Sequence, residues 1–163
     1  MSEELIKSVQ DMLKEETWTR ATISNYTKNN LMELATIVER AHNENCANEI
    51  QEICNEQLAN TKDSIIALYI SGMISLKNRT LDNSALVALV DIFQKNMKES
   101  IVEYLCQSIL DDDPNNKFAL RTLAEYYRSI NDEKVWELYN QIVKLDFEEA
   151  DLTKALAEHY EAE

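Results

Sequence analysis

The run Leu123-Ala124-Glu125-Tyr126-Tyr127 returns 33 residues later as Leu156-Ala157-Glu158-His159-Tyr160, identical at four of its five positions. One cycle upstream the same apolar pattern occurs at an offset of 34, with Leu86, Leu89, Val90 and Phe93 at the positions of Leu120, Leu123, Ala124 and Tyr127. Two further apolar stripes lie between these runs: Val102, Leu105, Cys106 and Ile109, and then Val135, Leu138, Tyr139 and Ile142. A repeat of this length that divides into two amphipathic helices is typical of stacked helical hairpins.

Glycine and proline are almost absent from the chain. Its 163 residues include one of each, where average usage would give roughly ten and eight. Strand-rich folds need these residues at tight turns, and nucleotide-binding loops need glycine where the backbone approaches phosphate. The composition therefore predicts an all-α protein. The single glycine, Gly72, lies inside an apolar helical stripe, where we expect a neighbouring helix to approach closely.

The first 82 residues predict helices by length and spacing, without a clear repeat. Apolar stripes run over residues 5–13, 31–41, 50–58 and 66–76, and a stretch rich in Thr and Asn at 17–30 predicts a turn or short helix. We predict one helical-repeat domain over residues 1–163, with irregular amino-terminal helices over 1–82 and repeats over 83–163.

The repeats resemble those of the tetratricopeptide family. Pro114 stands where a repeat closes, Tyr139 is the aromatic residue of a second helix, and the first-helix positions are filled by Leu120, Leu123, Ala124 and Tyr127. Four positions depart from the family pattern: Val135 and Ile142 replace small residues, Phe147 replaces a closing Pro, and Asn131 replaces the Gly between helices. The resemblance implies a right-handed stack of antiparallel helical hairpins, a degenerate tetratricopeptide-like solenoid that binds other proteins.

The amino-terminal stretch resembles the extension that precedes certain bacterial Gre-type (GreA-like) transcription elongation factors. The residues that carry the resemblance are Trp18-Thr19-Arg20-Ala21 and the run from Ile23 to Asn30. It implies a docking or regulatory domain of a longer protein that acts on RNA polymerase, and no position here matches the acidic tip residues of the Gre factor itself. Residues 149–163 predict the first helix of a further repeat. That helix is either a terminal cap or a sign that the chain is the front part of something longer, and we expect the second.

The formal charge of −14 and the pI near 4.5 bear on the partner class. Nucleic-acid affinity rests mainly on Lys and Arg that neutralise phosphates, so we expect no direct nucleic-acid binding and no membrane binding by this segment. A basic protein surface is the better match. The acidic start at Ser2-Glu3-Glu4 lacks the pattern of a secretory signal peptide. The chain has three cysteines, an odd number, and their spacing is not that of a disulfide framework. These features predict a cytoplasmic protein with reduced thiols.

The residues that could take part in catalysis or metal binding are better explained by structural roles. His42 and Cys46 are four apart and could contribute to a metal site, but Asn43-Glu44-Asn45 interrupts the helix between them. Cys106 lies in an apolar stripe, and Asp111-Asp112-Asp113 lacks the further ligands of a calcium loop and predicts an acidic cap before Pro114. We therefore expect no enzyme activity, no cofactor and no metal.

Candidate partner-binding residues come from the polar stretch and from the inward positions of the repeats. They are Trp18, Arg20, Arg121, Glu125, Arg128, Lys154 and Glu158. Because bases alternate with acids and Asn is absent from these positions, a clamp for a peptide's terminal carboxylate is not expected. Trp136 is either an interface anchor or a core residue, and its place in a repeat helix favours the core.

The sequence thus predicts a non-catalytic protein-interaction module, the amino-terminal domain of a Gre-type elongation factor acting on RNA polymerase. The alternative is a stand-alone tetratricopeptide-like adaptor or chaperone. An enzyme and an RNA-binding helical repeat are further rivals, the first disfavoured by the lack of a catalytic constellation and the second by charge.

Overall fold

The computed structural model describes residues 2–16, 23, 25–80, 82–145 and 150–162, and the side chains of residues 150–153 and 161–162 are outside that description. Nine helices and no strand occur in these ranges: α1 (Ser2–Glu15), α2 (Lys28–Asn43), α3 (Ala47–Asn60), α4 (Ile65–Lys77), α5 (Ser84–Lys95), α6 (Glu99–Asp112), α7 (Lys117–Ser129), α8 (Lys134–Leu145) and α9 (Ala150–Ala162). The prediction of an all-α protein is confirmed. None of these helices is long and apolar enough to cross a membrane.

The chain divides into two compact units, Met1–Ile101 and Val102–Glu163. In the first unit α4 is the central helix, because it packs against α1, α2, α3 and α5. Ten of its thirteen residues are buried. In the second unit α8 packs against both α7 and α9. The predicted boundary at residues 82 and 83, and the tetratricopeptide-like stacking, stay predictions.

The start of α4 is fixed by two polar side chains. The Ser64 hydroxyl accepts a hydrogen bond from the Ala67 N–H at 3.2 Å, which is the usual N-cap arrangement. The Glu16 carboxylate accepts hydrogen bonds from the Ser64 hydroxyl and from the Ile66 N–H. A carboxylate at this end of a helix is favourable because the first N–H groups lack partners and the helix dipole is positive there. These bonds tie the residue after α1 to the central helix.

Gly72 brings α4 close to α5, as its position in an apolar stripe predicted. A Cβ atom at Gly72 would lie 2.7 Å from both Cγ and Cδ2 of Leu86. Leu86 is itself fully buried, so it has little room to move away. The close approach of the two helices therefore depends on the missing side chain.

Four helix ends use the same turn, and none of the four contains glycine. At each end a residue with φ between 56° and 60° follows the helix: Asn45, Arg79, Met97 and Asn131. The next residue donates its N–H to a carbonyl five positions earlier, as in Cys46 to Ala41 and Asp132 to Tyr127, both at 2.9 Å. This is the Schellman arrangement, in which the left-handed position is usually Gly. Non-glycine residues in it explain how a chain with one Gly makes so many helix-to-helix turns.

The repeat seen in the sequence extends to side-chain contacts in the second unit. The Gln107 amide donates to the Tyr127 hydroxyl at 3.5 Å, and the Asn140 amide donates to the Tyr160 hydroxyl. Each partner of the second bond lies 33 residues after its counterpart in the first. The helix pairs α6–α7 and α8–α9 thus repeat one hydrogen bond as well as one apolar pattern.

The helix start after Pro114 corrects one expectation. The cap of α7 is Asn116, whose side-chain oxygen accepts from the Ala119 N–H at 3.0 Å. Asp111 and Asp112 belong to the last turn of α6 instead, and Asp113 accepts from the Asn116 amide at 3.4 Å. An amide cap satisfies the free N–H groups as well as a carboxylate would.

Candidate functional site

The second unit contains a surface groove, here called the α8 groove, of about 480 Å³. Its walls come from the end of α7, the following turn, the first half of α8 and the middle of α9. The lining residues are Arg128, Asn131, Asp132, Glu133, Val135, Trp136, Tyr139 and Ala155. One cation, two carboxylates and two aromatic rings thus border one cleft.

The turn between α7 and α8 positions the polar residues of the groove. Asn131 adopts the left-handed conformation, φ 56°, and so reverses the chain within three residues. Asp132 accepts the Lys134 N–H at 2.9 Å, and its carboxylate lies 3.9 Å from the Lys134 ammonium. The carboxylate therefore stabilises the start of α8 and stays at the rim of the groove.

Aromatic stacking joins α8 to α9 beside the groove. The Trp136 indole stacks on the His159 imidazole with ring centroids 4.0 Å apart and planes 10° apart. Trp136 also makes an edge-on aromatic contact with Tyr139, at 5.7 Å and 81°. Trp136 is half-buried, so it is both a packing residue and a surface available to a ligand. This intermediate position suits an interface anchor, since exposed aromatic area is efficiently buried on binding.

Tyr127 makes one of the repeated hydrogen bonds and is not among the residues that line the α8 groove. Its pKa is raised above the ordinary value, first by burial and then by the nearby Glu103 carboxylate. The Lys134 ammonium lies 5.3 Å from the centre of its ring, a cation–π contact. Tyr127 is thus a neutral, packed residue with a structural role.

A second cavity, in the first unit, has five uncharged polar, two charged and three apolar residues in its lining. It has a volume of about 510 Å³ between α3, α4 and α5. The Gln51 amide donates to the Ser71 carbonyl at 3.1 Å and to the Ser75 hydroxyl at 2.7 Å, and Ser71 donates to Asn55 at 2.8 Å. These uncharged groups therefore hydrogen-bond to one another, and Lys62 and Asp82 are the charged residues of the lining.

The predicted partner-binding residues fall into three places. Trp18 and Arg20 lie outside the described residues. Arg121, Glu125 and Arg128 are exposed along α7, and Lys154 and Glu158 are exposed on α9. Of these, Arg128 lines the α8 groove.

Sequence reasoning did not select Asp132 or His159 as site residues. The signal for Asp132 was available, since it follows the helix-ending Asn131 and precedes a new helix. In the second copy of the five-residue run, His159 stands at the position that Tyr126 occupies in the first. This is the position at which the two runs differ, and His159 is the residue that stacks on Trp136.

The three cysteines are free and buried. Burial raises the pKa of the Cys54 thiol to about 12, with a further contribution from Glu16, and burial alone raises the pKa of Cys106 to about 12. The Cys46 pKa is also raised, by desolvation and by Glu44 and Glu49. Thiols with such pKa values are almost fully protonated at neutral pH, so they are poor nucleophiles and poor metal ligands.

His42 and Cys46, the pair that the sequence disfavours as metal ligands, lie in the last turn of α2 and directly before α3, respectively. The Nδ1 atom of His42 is 3.0 Å from the Val38 carbonyl oxygen, which accepts a hydrogen bond when Nδ1 carries a proton. Across the described part of the chain no group of three or more His, Cys, Asp or Glu side chains is arranged to hold a metal ion.

Comparison with known proteins gives two relatives. A protein of Treponema pallidum named "Putative GreA-associated domains protein" is 42% identical over 138 residues, which cover 85% of this chain and 21% of the relative. "Transcription elongation factor GreA" of Borreliella burgdorferi is 33% identical over 157 residues, 96% of this chain and 17% of the relative. The chain is thus similar to part of a protein named as a GreA-associated domains protein and to part of one named as GreA.

This chain therefore spans about a fifth of the length of the relatives it matches. The matched part includes most of both compact units, because 157 of 163 residues align with the second relative. No protein-family model matches the chain, and no solved structure matches it. The suggested link to Gre-type elongation factors is supported, and the tetratricopeptide resemblance stays a prediction.

Proposed function

We propose that this chain is a non-catalytic protein-interaction module of a Gre-type transcription elongation factor and that its partner is RNA polymerase. The observation that carries the proposal is the 33% identity over 96% of the chain to a protein named as a transcription elongation factor. A match that spans both units favours a role shared with that protein over a chance likeness of one helix pair. The module would act in the cytoplasm, where transcription takes place in bacteria.

The mode of binding we propose is presentation of the α8 groove to a basic surface of the partner. Trp136 supplies half-buried aromatic area, and Asp132 and Glu133 supply negative charge at the rim. The net charge of −14 would steer a basic surface toward the module and would make association faster at low salt. A tetratricopeptide-like stacking of the helix pairs would hold the groove rigid.

The non-catalytic part of the proposal rests on the chemistry of the side chains. The most nucleophilic residue type in the chain is cysteine, and all three thiols are buried with raised pKa values. The groove holds carboxylates and an Arg but no paired nucleophile and base. Such a site binds and orients a partner without activating a bond.

The test is direct binding to purified bacterial core RNA polymerase. The 163-residue chain is immobilised on a biosensor, and the polymerase is flowed over it at several salt concentrations. We expect saturable binding that weakens with salt, and a loss of at least tenfold in affinity for Trp136→Ala combined with Asp132→Asn. The matched control is Met32→Ala combined with Asp11→Asn, which changes exposed residues of the first unit.

Equal loss in the control pair would contradict the groove as the contact. No retention of polymerase by the wild-type chain would remove the transcription role. It would leave the alternative, a tetratricopeptide-like adaptor or chaperone, which the repeated Gln107–Tyr127 and Asn140–Tyr160 hydrogen bonds favour.

A further inference from the structure

The polar cavity of the first unit, between α3, α4 and α5, keeps hydrogen-bonding groups that the packing of the helices does not use. The Gln51 amide nitrogen donates to α4 twice, to the Ser71 carbonyl and to the Ser75 hydroxyl. The Asn55 carbonyl oxygen accepts from the Ser71 hydroxyl at 2.8 Å. In the part of the chain that the structure describes, the other half of each amide, the Gln51 carbonyl oxygen and the Asn55 amide nitrogen, has no hydrogen-bond partner.

These two free groups are neighbours and form a matched pair. Gln51 and Asn55 are four residues apart in α3, so their side chains lie next to each other on one face of the helix. Gln51 offers an acceptor and Asn55 offers N–H donors. The bonds to Ser71 and Ser75 already hold both side chains in place, so little further ordering is needed when a ligand binds. The complement of such a pair is an amide, which carries a carbonyl oxygen beside an N–H group.

The charged residues of the lining are one cation and one anion, Lys62 and Asp82. Hydrogen bonds from the Ser84 hydroxyl and from its N–H lower the pKa of Asp82, so this carboxylate is ionised at neutral pH. Lys62 has no ion-pair partner among the described residues. A ligand with one negative and one positive group is therefore the electrostatic match. The volume of about 510 Å³ lies within the range of about 300–1,000 Å³ that small-molecule sites occupy.

We propose that this cavity, called here the amide cavity, binds a small zwitterion that carries an amide group, the chemical class of a free amino acid with an amide side chain. The ligand amide pairs with Gln51 and Asn55, its carboxylate faces Lys62 and its ammonium faces Asp82. The proposal goes beyond the role in transcription and does not depend on it. The amide cavity lies in the first unit and the α8 groove in the second, so each site can fail its test without affecting the other.

The experiment titrates the ¹⁵N-labelled 163-residue chain with L-glutamine and follows the side-chain amide signals of Gln51 and Asn55 by NMR. Both signals should shift in a saturable manner. L-Glutamate is the matched ligand, because it differs by a carboxylate in place of the side-chain amide. That carboxylate would bring an acceptor without a proton against the Gln51 carbonyl oxygen, so L-glutamate should bind at least tenfold more weakly.

A near-isosteric variant tests the Asn55 donor. Asn55→Asp keeps the oxygen that accepts from the Ser71 hydroxyl and removes the N–H groups, so it should weaken L-glutamine at least tenfold. The matched control is Asn48→Asp, which adds the same charge to an exposed position of α3 outside the cavity lining. It should bind L-glutamine within about twofold of the wild-type chain. The comparison of the two ligands needs only the wild-type chain, so it decides the matter even if Asn55→Asp lowers stability.

A blocked ligand separates a free zwitterion from an amide that belongs to a peptide. N-acetyl-glutamine amide keeps the side-chain amide but carries neither charge, and it should bind at least fivefold more weakly than L-glutamine because Lys62 and Asp82 lose their partners. Equal affinity for the blocked ligand would assign the cavity to a peptide segment and overturn the proposal. Equal affinity for L-glutamine and L-glutamate, or no saturable shift of the Gln51 and Asn55 signals, would overturn it as well.

Discussion

At the scale of single residues, Gly72 has the clearest structural requirement in the chain. An added Cβ would lie 2.7 Å from two atoms of Leu86, which is far inside van der Waals contact. Ala is favoured over Gly in a helix by about 1 kcal/mol, but overpacking of a core usually costs about 1–3 kcal/mol. Steric conflict is therefore expected to outweigh helix propensity.

We predict that Gly72→Ala lowers the free energy of unfolding by about 1 kcal/mol, since the overpacking cost exceeds the propensity gain. Urea denaturation followed by circular dichroism measures the change. The control is the same substitution in a Leu86→Ala background, where the space is open and Gly72→Ala should be neutral or stabilising. A destabilisation of the same size in both backgrounds would show that the contact with Leu86 is not the cause.

The close approach at Gly72 could be predicted from the sequence because it follows from one residue type in one pattern. The same holds for the buried positions Leu31, Leu34 and Val38, whose spacing places them on one face of α2. The stacking of Trp136 on His159 could not be predicted. It depends on the rotation of α8 against α9, and half-buried aromatic residues leave no periodic signal.

At the scale of elements, the helix ends are the features that could not be predicted from the sequence. Gly normally marks a left-handed residue after a helix, and Arg79 and Met97 give no such mark. The structure shows them with φ of 60° and 58°. For residues with a Cβ this conformation costs roughly 1–2 kcal/mol, which the two hydrogen bonds of each turn and the packing of the flanking helices offset.

The turn between α5 and α6 offers a direct test of this cost. Met97 is 81% exposed, so its side chain contributes little packing. We predict that Met97→Gly relieves the left-handed conformation and raises stability by about 1 kcal/mol, equivalent to roughly 2–4 °C in melting temperature for a domain of this size. Differential scanning calorimetry measures it.

The matched control places glycine where the backbone is already relaxed. Glu125 is exposed in the middle of α7, and Glu125→Gly should lower stability by about 1 kcal/mol through the poor helix propensity of Gly. If Met97→Gly also lowered the melting temperature, the left-handed turn would not be a source of strain. Opposite signs for the two substitutions are the result that the backbone angles predict.

At the scale of the whole molecule, the buried titratable groups predict how stability depends on pH. Burial raises the pKa of Cys54 and of Cys106 to about 12, against 9.0 for an exposed thiol. The pKa values of Tyr26 and Tyr127 are raised as well, chiefly by burial. Each group therefore binds its proton more tightly in the folded chain than in the unfolded chain. As pH rises past 9 the unfolded state loses these protons first, and stability falls.

We therefore predict full stability at pH 7–8 and a progressive loss from about pH 9 toward pH 12, because the folded state holds protons that the unfolded state releases. Urea midpoints measured at pH 7.5, 9 and 10.5 follow this loss in both units of the chain, since Cys54 lies in the first and Cys106 in the second. The double substitution Cys54→Ala and Cys106→Ala removes the two thiols at some cost in packing at every pH, but it should flatten the decline between pH 9 and 10.5. A decline of unchanged steepness in that variant would mean that other groups, with Tyr26 first among them, control the alkaline limit.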